Sequence, residues 1–253
     1  VQGEIPPLGL SFWRWCIGAL ILAPFVLPGI RSKFPVYRRH LPAISLLGVL
    51  MIGSTSVVLV ALNFTTAINV SLINAVQPTM TVLLAIIFYR DKVSLAGLVG
   101  IGAAMLGVMI MVFKGDPVVL LQLDFNTGDL ATMAAMVGFS CYALNLKKLP
   151  AELSVAQALF GITVTGTLAL LPFYLLETVL YKPVPFSGET MLVALELALL
   201  VAVLGNLMWN RGNMLIGPSR AAVFINLIPL FGAILAVSFL GERYTTIIFL
   251  VLF

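Results

Sequence analysis

Amide side chains recur at helical spacing inside the apolar stretches of this chain, where they could bind a solute. Asn74, Gln77 and Thr81 stand at positions i, i+3 and i+7, which form one face of a helix. Polar groups are costly in hydrocarbon, so they usually face a cavity or a partner helix. We therefore expect a polar, partly aromatic substrate pathway, to which six further residues would contribute: Tyr142, Asn145, Asn206, Trp209, Asn210 and Asn226. The alternative is that these groups only bond one helix to the next, each contact stabilising by ~1 kcal/mol.

Two prolines lie in the middle of apolar, helix-length segments. Pro78 and Pro229 remove a backbone donor and thereby free the carbonyls of Asn74 and Ile225. The predicted role is a hinge whose free carbonyl can meet solute or water. A static packing kink is the alternative.

Two charged residues near or within the apolar stretches could contact a solute or exchange a proton. Arg14 is the one basic residue well inside an apolar stretch, about six residues from its end. Its head could reach the membrane surface or a structural partner, or it could contact an anionic substrate. Glu196 could couple transport to protons, or it could lie with its head at the surface. Asp129 is the other carboxylate near hydrocarbon, and we expect no obligatory proton relay from either.

The composition requires lipid around these residues. Hydrophobic residues make up 61% of the chain and charged residues 9%, whereas soluble domains are about half apolar and about a quarter charged. The fold class expected is an all-α, multi-pass membrane protein. The apolar spans are expected at about 9–28, 41–62, 68–89, 94–113, 128–146, 153–176, 190–210 and 218–240, with a ninth starting at 244.

The basic residues sit in short connections, where they orient helices rather than bind nucleic acid. Alternate connections carry unequal charge: ten of these residues fall on one side (Arg31, Lys33, Arg38, Arg39, Arg90, Lys92, Lys147, Lys148, Arg211, Arg220) and three on the other (Lys114, Lys182, Arg243). The first side is therefore expected to be cytoplasmic. Cys16 and Cys141 lie in apolar runs, and no metal-ligand spacing or cofactor motif is present, so no cofactor is expected.

Two segments read as copies of one element. A shift of 151 residues aligns 68–94 with 219–245 and places Pro78 on Pro229, and a shift of 148 aligns Gly18 with Gly166. The charge count gives the two copies opposite orientations. Inverted repeats of membrane helices are a mark of secondary transporters, because they supply two related conformations.

The order and spacing of short motifs resemble the EamA-type family of the drug/metabolite transporter superfamily. The motifs are Phe12-Trp13-Arg14, Ser71-Leu72-Ile73 before Pro78, Gly128-Asp129-Leu130, Tyr142, Lys147-Lys148, Leu207-Met208-Trp209-Asn210, Gly217-Pro218-Ser219-Arg220-Ala221-Ala222, Pro229 and Leu240-Gly241-Glu242-Arg243. The resemblance implies ten helices in two inverted five-helix repeats. Residues 1–113 would be the N-terminal repeat lacking its first helix, 114–127 a linker, and 128–253 the C-terminal repeat with a truncated last helix.

The function expected is secondary transport of small metabolites such as amino acids or related amphiphiles, and the family resemblance implies export. A passive channel or facilitator of the same fold is the alternative. An intramembrane enzyme is much less favoured, because no nucleophile or metal constellation can be built from these spans. The expected location is the bacterial inner membrane. A seam of small residues including Gly100 and Gly107 would suit helix packing or a homodimer.

Overall fold

The computed structural model describes residues 5–90, 94–112, 126–228 and 231, and these contain helices and no strand. The α-helices are α1 (Pro7–Ala61), α2 (Ala67–Tyr89), α3 (Leu95–Val112), α4 (Thr127–Asn145), α5 (Val155–Leu180), α6 (Gly188–Glu196), α7 (Asn206–Ile216) and α8 (Pro218–Val223). A π-helix (Leu197–Gly205) joins α6 to α7, and 3-10 turns follow α4 (Leu146–Lys148) and α8 (Phe224–Leu227).

Five of these helical stretches are long and apolar enough to cross a membrane: Pro7–Ala61, Asn69–Tyr89, Thr127–Lys148, Val155–Leu180 and Gly188–Ile216. About 20 apolar residues cover the ~30 Å of hydrocarbon. Large apolar side chains cover much of the described surface; Phe25 is 78% exposed and Val179 80% exposed. The chain is therefore an integral, multi-pass membrane protein.

Helix α1 reverses direction, although its 55 residues are helical throughout. The expected spans 9–28 and 41–62 predict a loop at 29–40, and this prediction is wrong, because the structure shows helical backbone there. Pro24, Pro28, Pro35 and Pro42 interrupt the regular hydrogen-bond ladder, so the axis can bend while the residues between them stay helical. We call the part before the reversal the first leg and the part after it the second leg.

Contacts along α5 show where the reversal lies. Near the end of α5, the carboxylate of Glu177 accepts hydrogen bonds from the backbone of Leu8 and Gly9, at 3.1 and 2.7 Å. At its start, the carbonyl of Gln157 accepts a 2.7 Å bond from the hydroxyl of Tyr37. The first leg thus runs antiparallel to α5 and ends beside its N-terminus.

The second leg returns along α5 at very short range. A Cβ atom added to Gly48 would lie 2.6 Å from the carbonyl oxygen of Ile162 and 2.7 Å from the nitrogen of Gly166. Side chains at these glycines would separate the two backbones. The close approach supports a core around Ile52, Leu159 and Ile162, with 0% exposure for each of these side chains.

Helices α2 and α4 run parallel to each other. Their first residues meet through Asn69 and Asp129, and their last through a 3.0 Å bond from the hydroxyl of Tyr89 to Oδ1 of Asn145. The helix starts are fixed by side chains: Asn126 caps α4 and Ser154 caps α5, each in a reciprocal capping box. The observed helices agree with the expected spans 68–89, 128–146 and 153–176 within a few residues.

The two ends of the helical bundle differ in charge. The end formed by the reversal of α1 and the C-termini of α2, α4 and α7 carries nine of the described basic residues: Arg31, Lys33, Arg38, Arg39, Arg90, Lys147, Lys148, Arg211 and Arg220. We call this the basic end. The opposite end, where α2 and α4 begin, carries Lys182 among the described residues.

Candidate functional site

A cavity of about 560 Å³ lies among both legs of α1, α2, α4 and the turn after α8. This volume is typical of small-molecule sites. Its polar lining comes from Arg14, Thr55, Ser71, Asn74, Gln77 and Asn226. Its apolar lining comes from Val58, Leu59, Ala75, Met136, Phe139, Ile225 and Ile228. The cavity can therefore hold a solute that has both polar and apolar parts.

Helix α2 places Asn74 and Gln77 on the cavity wall, one turn apart. Thr66 caps the start of the helix, and its side chain accepts a hydrogen bond from the backbone of Asn69 at 3.2 Å. It continues through Pro78, which is buried. Because proline has no backbone N–H, the carbonyl of Asn74 loses its usual helical donor. An amide side chain and a freed carbonyl thus belong to the same cavity-lining residue.

Asn226 approaches the cavity from the C-terminal half of the chain. It stands in the 3-10 turn Phe224–Leu227, and both polar atoms of its side chain are buried without a hydrogen-bond partner among the described residues. An unsatisfied buried amide costs about 1–3 kcal/mol. Asn226 is therefore free to bond a solute in the cavity. Pro229, the second expected hinge, lies outside the described residues.

Arg14 reaches the cavity from the first leg of α1. Its side chain is 6% exposed, so its head does not extend to the surface of the bundle. Nε and Nη2 have no hydrogen-bond partner among the described residues, and the guanidinium carbon lies 5.1 Å from the centre of the Trp15 ring. The sequence left three roles open for Arg14: reaching the membrane surface, pairing with a structural partner, or contacting an anionic substrate. The burial of the side chain disfavours the first of these roles.

The other expected pathway residues lie outside the lining of this cavity. The hydroxyl of Tyr142 donates to Oδ1 of Asn210 at 2.8 Å, joining α4 to α7 deep in the bundle. The hydroxyl oxygen of Thr81 lies 3.0 Å from the carbonyl oxygen of Gln77 and 2.9 Å from the hydroxyl oxygen of Ser140, so Thr81 can donate to Gln77 and accept from Ser140. The hydroxyl groups of Tyr142 and Thr81 and the Oδ1 atom of Asn210 are thus bonded to other protein groups and not directed at a solute in this cavity.

Three more of the expected pathway residues, Asn145, Asn206 and Trp209, also lie outside the cavity lining. Asn145 accepts from Tyr89 near the basic end and donates to the carbonyl of Cys141 at 2.7 Å. Asn206 donates to the carbonyl of Val201 at 2.8 Å, at the end of the π-helix. Trp209 packs against the main hydrophobic core.

Glu196, the candidate for proton coupling, is exposed at the end of α6 and does not line the cavity. Among the described residues, no group of three or more His, Cys, Asp or Glu side chains could hold a metal ion.

Asp129 forms a polar cluster that the sequence alone did not reveal. Its carboxylate is 1% exposed and accepts from the amide of Asn69, at 3.1 Å to Oδ1 and 3.0 Å to Oδ2. It also accepts from the hydroxyl of Thr65 and from the backbone of Asn126, the latter at 3.0 Å. The cluster fixes the connection between α1 and α2 against the start of α4. The signal available in the sequence was the capping pattern Asn126–Asp129.

Comparison with known proteins gives relatives of one kind. The curated relatives include YyaM of Bacillus subtilis (strain 168), named an uncharacterized transporter, with 26% identity over 238 residues, which is 92% of this chain and 77% of that protein. An uncharacterized transporter of Archaeoglobus fulgidus is 25% identical over 247 residues, covering 95% of this chain and 82% of that protein.

A solved structure titled "Crystal structure of protein" has a TM-score of 0.75, with 16% identity, and covers 98% of this chain and 85% of that chain. At this identity the likeness concerns the fold alone. A model of the EamA-like transporter family matches residues 1–113 and matches again over residues 126–253. Both halves thus fit one family model, and the relatives by sequence are named transporters. The chain belongs to the EamA-like transporter family.

Proposed function

We propose that the protein is a secondary transporter that exports small metabolites, such as amino acids or related amphiphiles, across the bacterial inner membrane by alternating access. The observation that carries the proposal is the cavity of about 560 Å³, whose walls combine Asn74, Gln77 and Asn226 with apolar side chains. Polar groups inside a membrane bundle usually face a cavity or a partner, and both polar atoms of the Asn226 side chain lack a hydrogen-bond partner among the described residues. The family supports transport as such, and the direction rests on the family resemblance.

We propose further that two inverted repeats, in residues 1–113 and 128–253 and joined by 114–127, supply the two conformations. The course of the chain around α2 supports this. Val82 shares a groove with residues 217–220 near the basic end, whereas Asn74 shares the cavity with Asn226. The segment that begins with α8 therefore runs antiparallel to α2, as the inverted copy of α2 would.

The packing of Gly18 and Gly166 supports the same relation, since these are equivalent positions in the two sequence copies. Gly18, on the first leg of α1, packs against Ala202 in the π-helix, and a Cβ at Gly18 would lie 3.4 Å from the Ala202 Cβ. Gly166, on α5, packs against Gly48 on the second leg. A two-fold axis in the membrane plane would exchange these two contacts.

Counterflow in proteoliposomes tests the proposed function. The protein is reconstituted, the vesicles are loaded with one member of a panel of amino acids and metabolites, and uptake of the same labelled compound is followed. A carrier gives saturable uptake that overshoots when unlabelled compound is inside. Non-saturating uptake without counterflow would favour the passive channel, and absence of flux for every compound would contradict transport of these solutes.

A further inference from the structure

The guanidinium of Arg14 is a charged group with an incomplete environment. Arg14 is 6% exposed and lines the cavity. Two nitrogens of its guanidinium have no hydrogen-bond partner among the described residues. Arginine stays protonated in proteins and offers five N–H donors in a planar fork. A buried charge without a counter-charge is unfavourable, so a bound anion would stabilise an arginine that has none among the described residues.

Neighbouring groups in the described part of the chain do not supply that partner. The Trp15 ring can attract the cation through its face, but it cannot accept the in-plane N–H bonds. The carboxylate of Asp129 already accepts hydrogen bonds from Thr65, Asn69 and Asn126.

Glu177 accepts from two backbone nitrogens at the start of α1. The other described carboxylates, Glu152, Glu189 and Glu196, are exposed. None of these groups is placed to complete the environment of Arg14.

We propose that Arg14 binds the carboxylate of the transported solute, so that the substrate class is a small amphiphile carrying one acidic group. The inference rests on the proposed function and names its substrate class. A planar carboxylate matches the fork of a guanidinium with two parallel hydrogen bonds. Among the described lining residues, Arg14 is the one basic side chain, so the cavity balances one negative charge rather than the two of a phosphate ester.

The rest of the cavity fits the remainder of such a solute. Asn74, Gln77 and Asn226 can bond an amino, hydroxyl or amide group. Phe139 and Met136 on α4 offer apolar surface to a side chain. A neutral zwitterion such as an amino acid, or its N-acylated monoanion, has the required combination of groups.

The first test needs no knowledge of the substrate. Arg14→Met removes the unpaired charge and keeps an unbranched apolar stem, and Arg211→Met is the matched control because Arg211 is exposed and outside the cavity lining. In the ligand-free protein in detergent, we expect Arg14→Met to raise the melting temperature and the control to leave it unchanged. A lower or unchanged melting temperature for Arg14→Met would mean that the charge is already balanced in the ligand-free protein, which overturns the proposal.

The second test compares solutes that differ only in the acidic group. Pairs of acid and carboxamide built on leucine, phenylalanine and their N-acetyl derivatives are offered to wild type, Arg14→Lys and Arg14→Gln in counterflow. For wild type we expect the acid of a transported pair to be preferred by at least about tenfold. Arg14→Lys should retain part of the preference, and Arg14→Gln should treat both members alike.

The outcomes separate this inference from the proposed function. Equal exchange of acid and carboxamide by wild type, or an unchanged preference in Arg14→Gln, overturns the role of Arg14 while transport stands. If wild type exchanges other solutes but none of the acids, the role of Arg14 is likewise overturned while transport stands. Loss of counterflow for every compound with wild type contradicts the proposed function itself.

Discussion

The hydroxyl oxygens of Ser11 and Ser56 lie 2.8 Å apart, although the two residues are 45 positions apart in one continuous helical segment. A straight helix would separate them by roughly 67 Å. The reversal of α1 therefore brings its two legs into direct contact. The same reversal places Arg14 on the first leg and Thr55 on the second leg around one cavity.

Cross-linking tests this reversal. We expect Ser11→Cys together with Ser56→Cys to form a disulfide on mild oxidation, because the two hydroxyl oxygens are 2.8 Å apart and sulfur atoms at these positions would lie close to each other. The background carries alanine at the native Cys16 and Cys141, and gel mobility before and after reduction is the readout. Ser32→Cys with Ser56→Cys is the control and should remain unlinked. Equal linking of both pairs would show that the chain does not hold this arrangement.

The orientation in the membrane follows from the charge asymmetry between the two ends. Glu152 precedes α5 at the basic end and Glu189 begins α6 at the opposite end, and both are exposed. In the cysteine-free background, we expect Glu152→Cys to be labelled from the cytoplasm and Glu189→Cys from outside. An impermeant maleimide applied to intact cells and to inverted vesicles makes the distinction. Labelling of both positions from one side would contradict the orientation.

The Asp129 cluster is expected to stabilise the fold. Asp129→Asn replaces an acceptor-only group by an amide, so the bonds from Asn69, Thr65 and the Asn126 backbone can no longer all be made. Hydrogen bonds to a charged group contribute about 1.5–3 kcal/mol each, so we expect a loss of about that size in unfolding free energy. Thermal unfolding in detergent measures it. An unchanged melting temperature would show that the cluster is not a structural lock.

Glu196 is expected to be dispensable for energy coupling, because it is exposed and outside the cavity lining. Glu196→Gln should accumulate solute under an imposed pH gradient as wild type does, with Glu189→Gln as a surface control. If Glu196→Gln alone loses gradient-driven accumulation and keeps downhill exchange, this carboxylate carries the coupled proton. In that case the expectation of no proton relay in these residues would be wrong.

Helical spacing was sufficient to place some of the cavity residues. Asn74 and Gln77 stand one turn apart on α2, and the structure puts both on one wall. Their position follows from local geometry, because residues three apart share a face of any helix. Spacing could not show which partner that face meets. Ser71, one turn before Asn74 on the same face, also lines the cavity and is absent from the pathway expected from the sequence.

Contacts between segments that are distant in the chain could not be predicted from the sequence alone. Tyr142 and Asn210 are 68 residues apart, and only the packing of α4 against α7 reveals that they bond each other rather than line the cavity. The depth of Arg14 likewise depends on neighbouring helices and not on its distance from the end of a span. The helical backbone at 29–40 was missed because prolines and charges there signal a loop, while the surrounding helices stabilise a bend.

We expect solute to cross the membrane through the cavity lined by Asn74, Gln77 and Asn226, and the variant Gln77→Leu tests this pathway. Gln77→Leu removes the amide and keeps a side chain of similar size. Thr79→Val is the control, because Thr79 lies on the same helix, contacts Met105 and is outside the cavity lining. The measurement is the initial rate of counterflow per folded transporter in proteoliposomes. We expect Gln77→Leu to reduce this rate at least about tenfold, the loss of ~1.4 kcal/mol of binding, and Thr79→Val to leave it unchanged. Wild-type rates in Gln77→Leu would contradict passage of solute along the Gln77 side of this cavity.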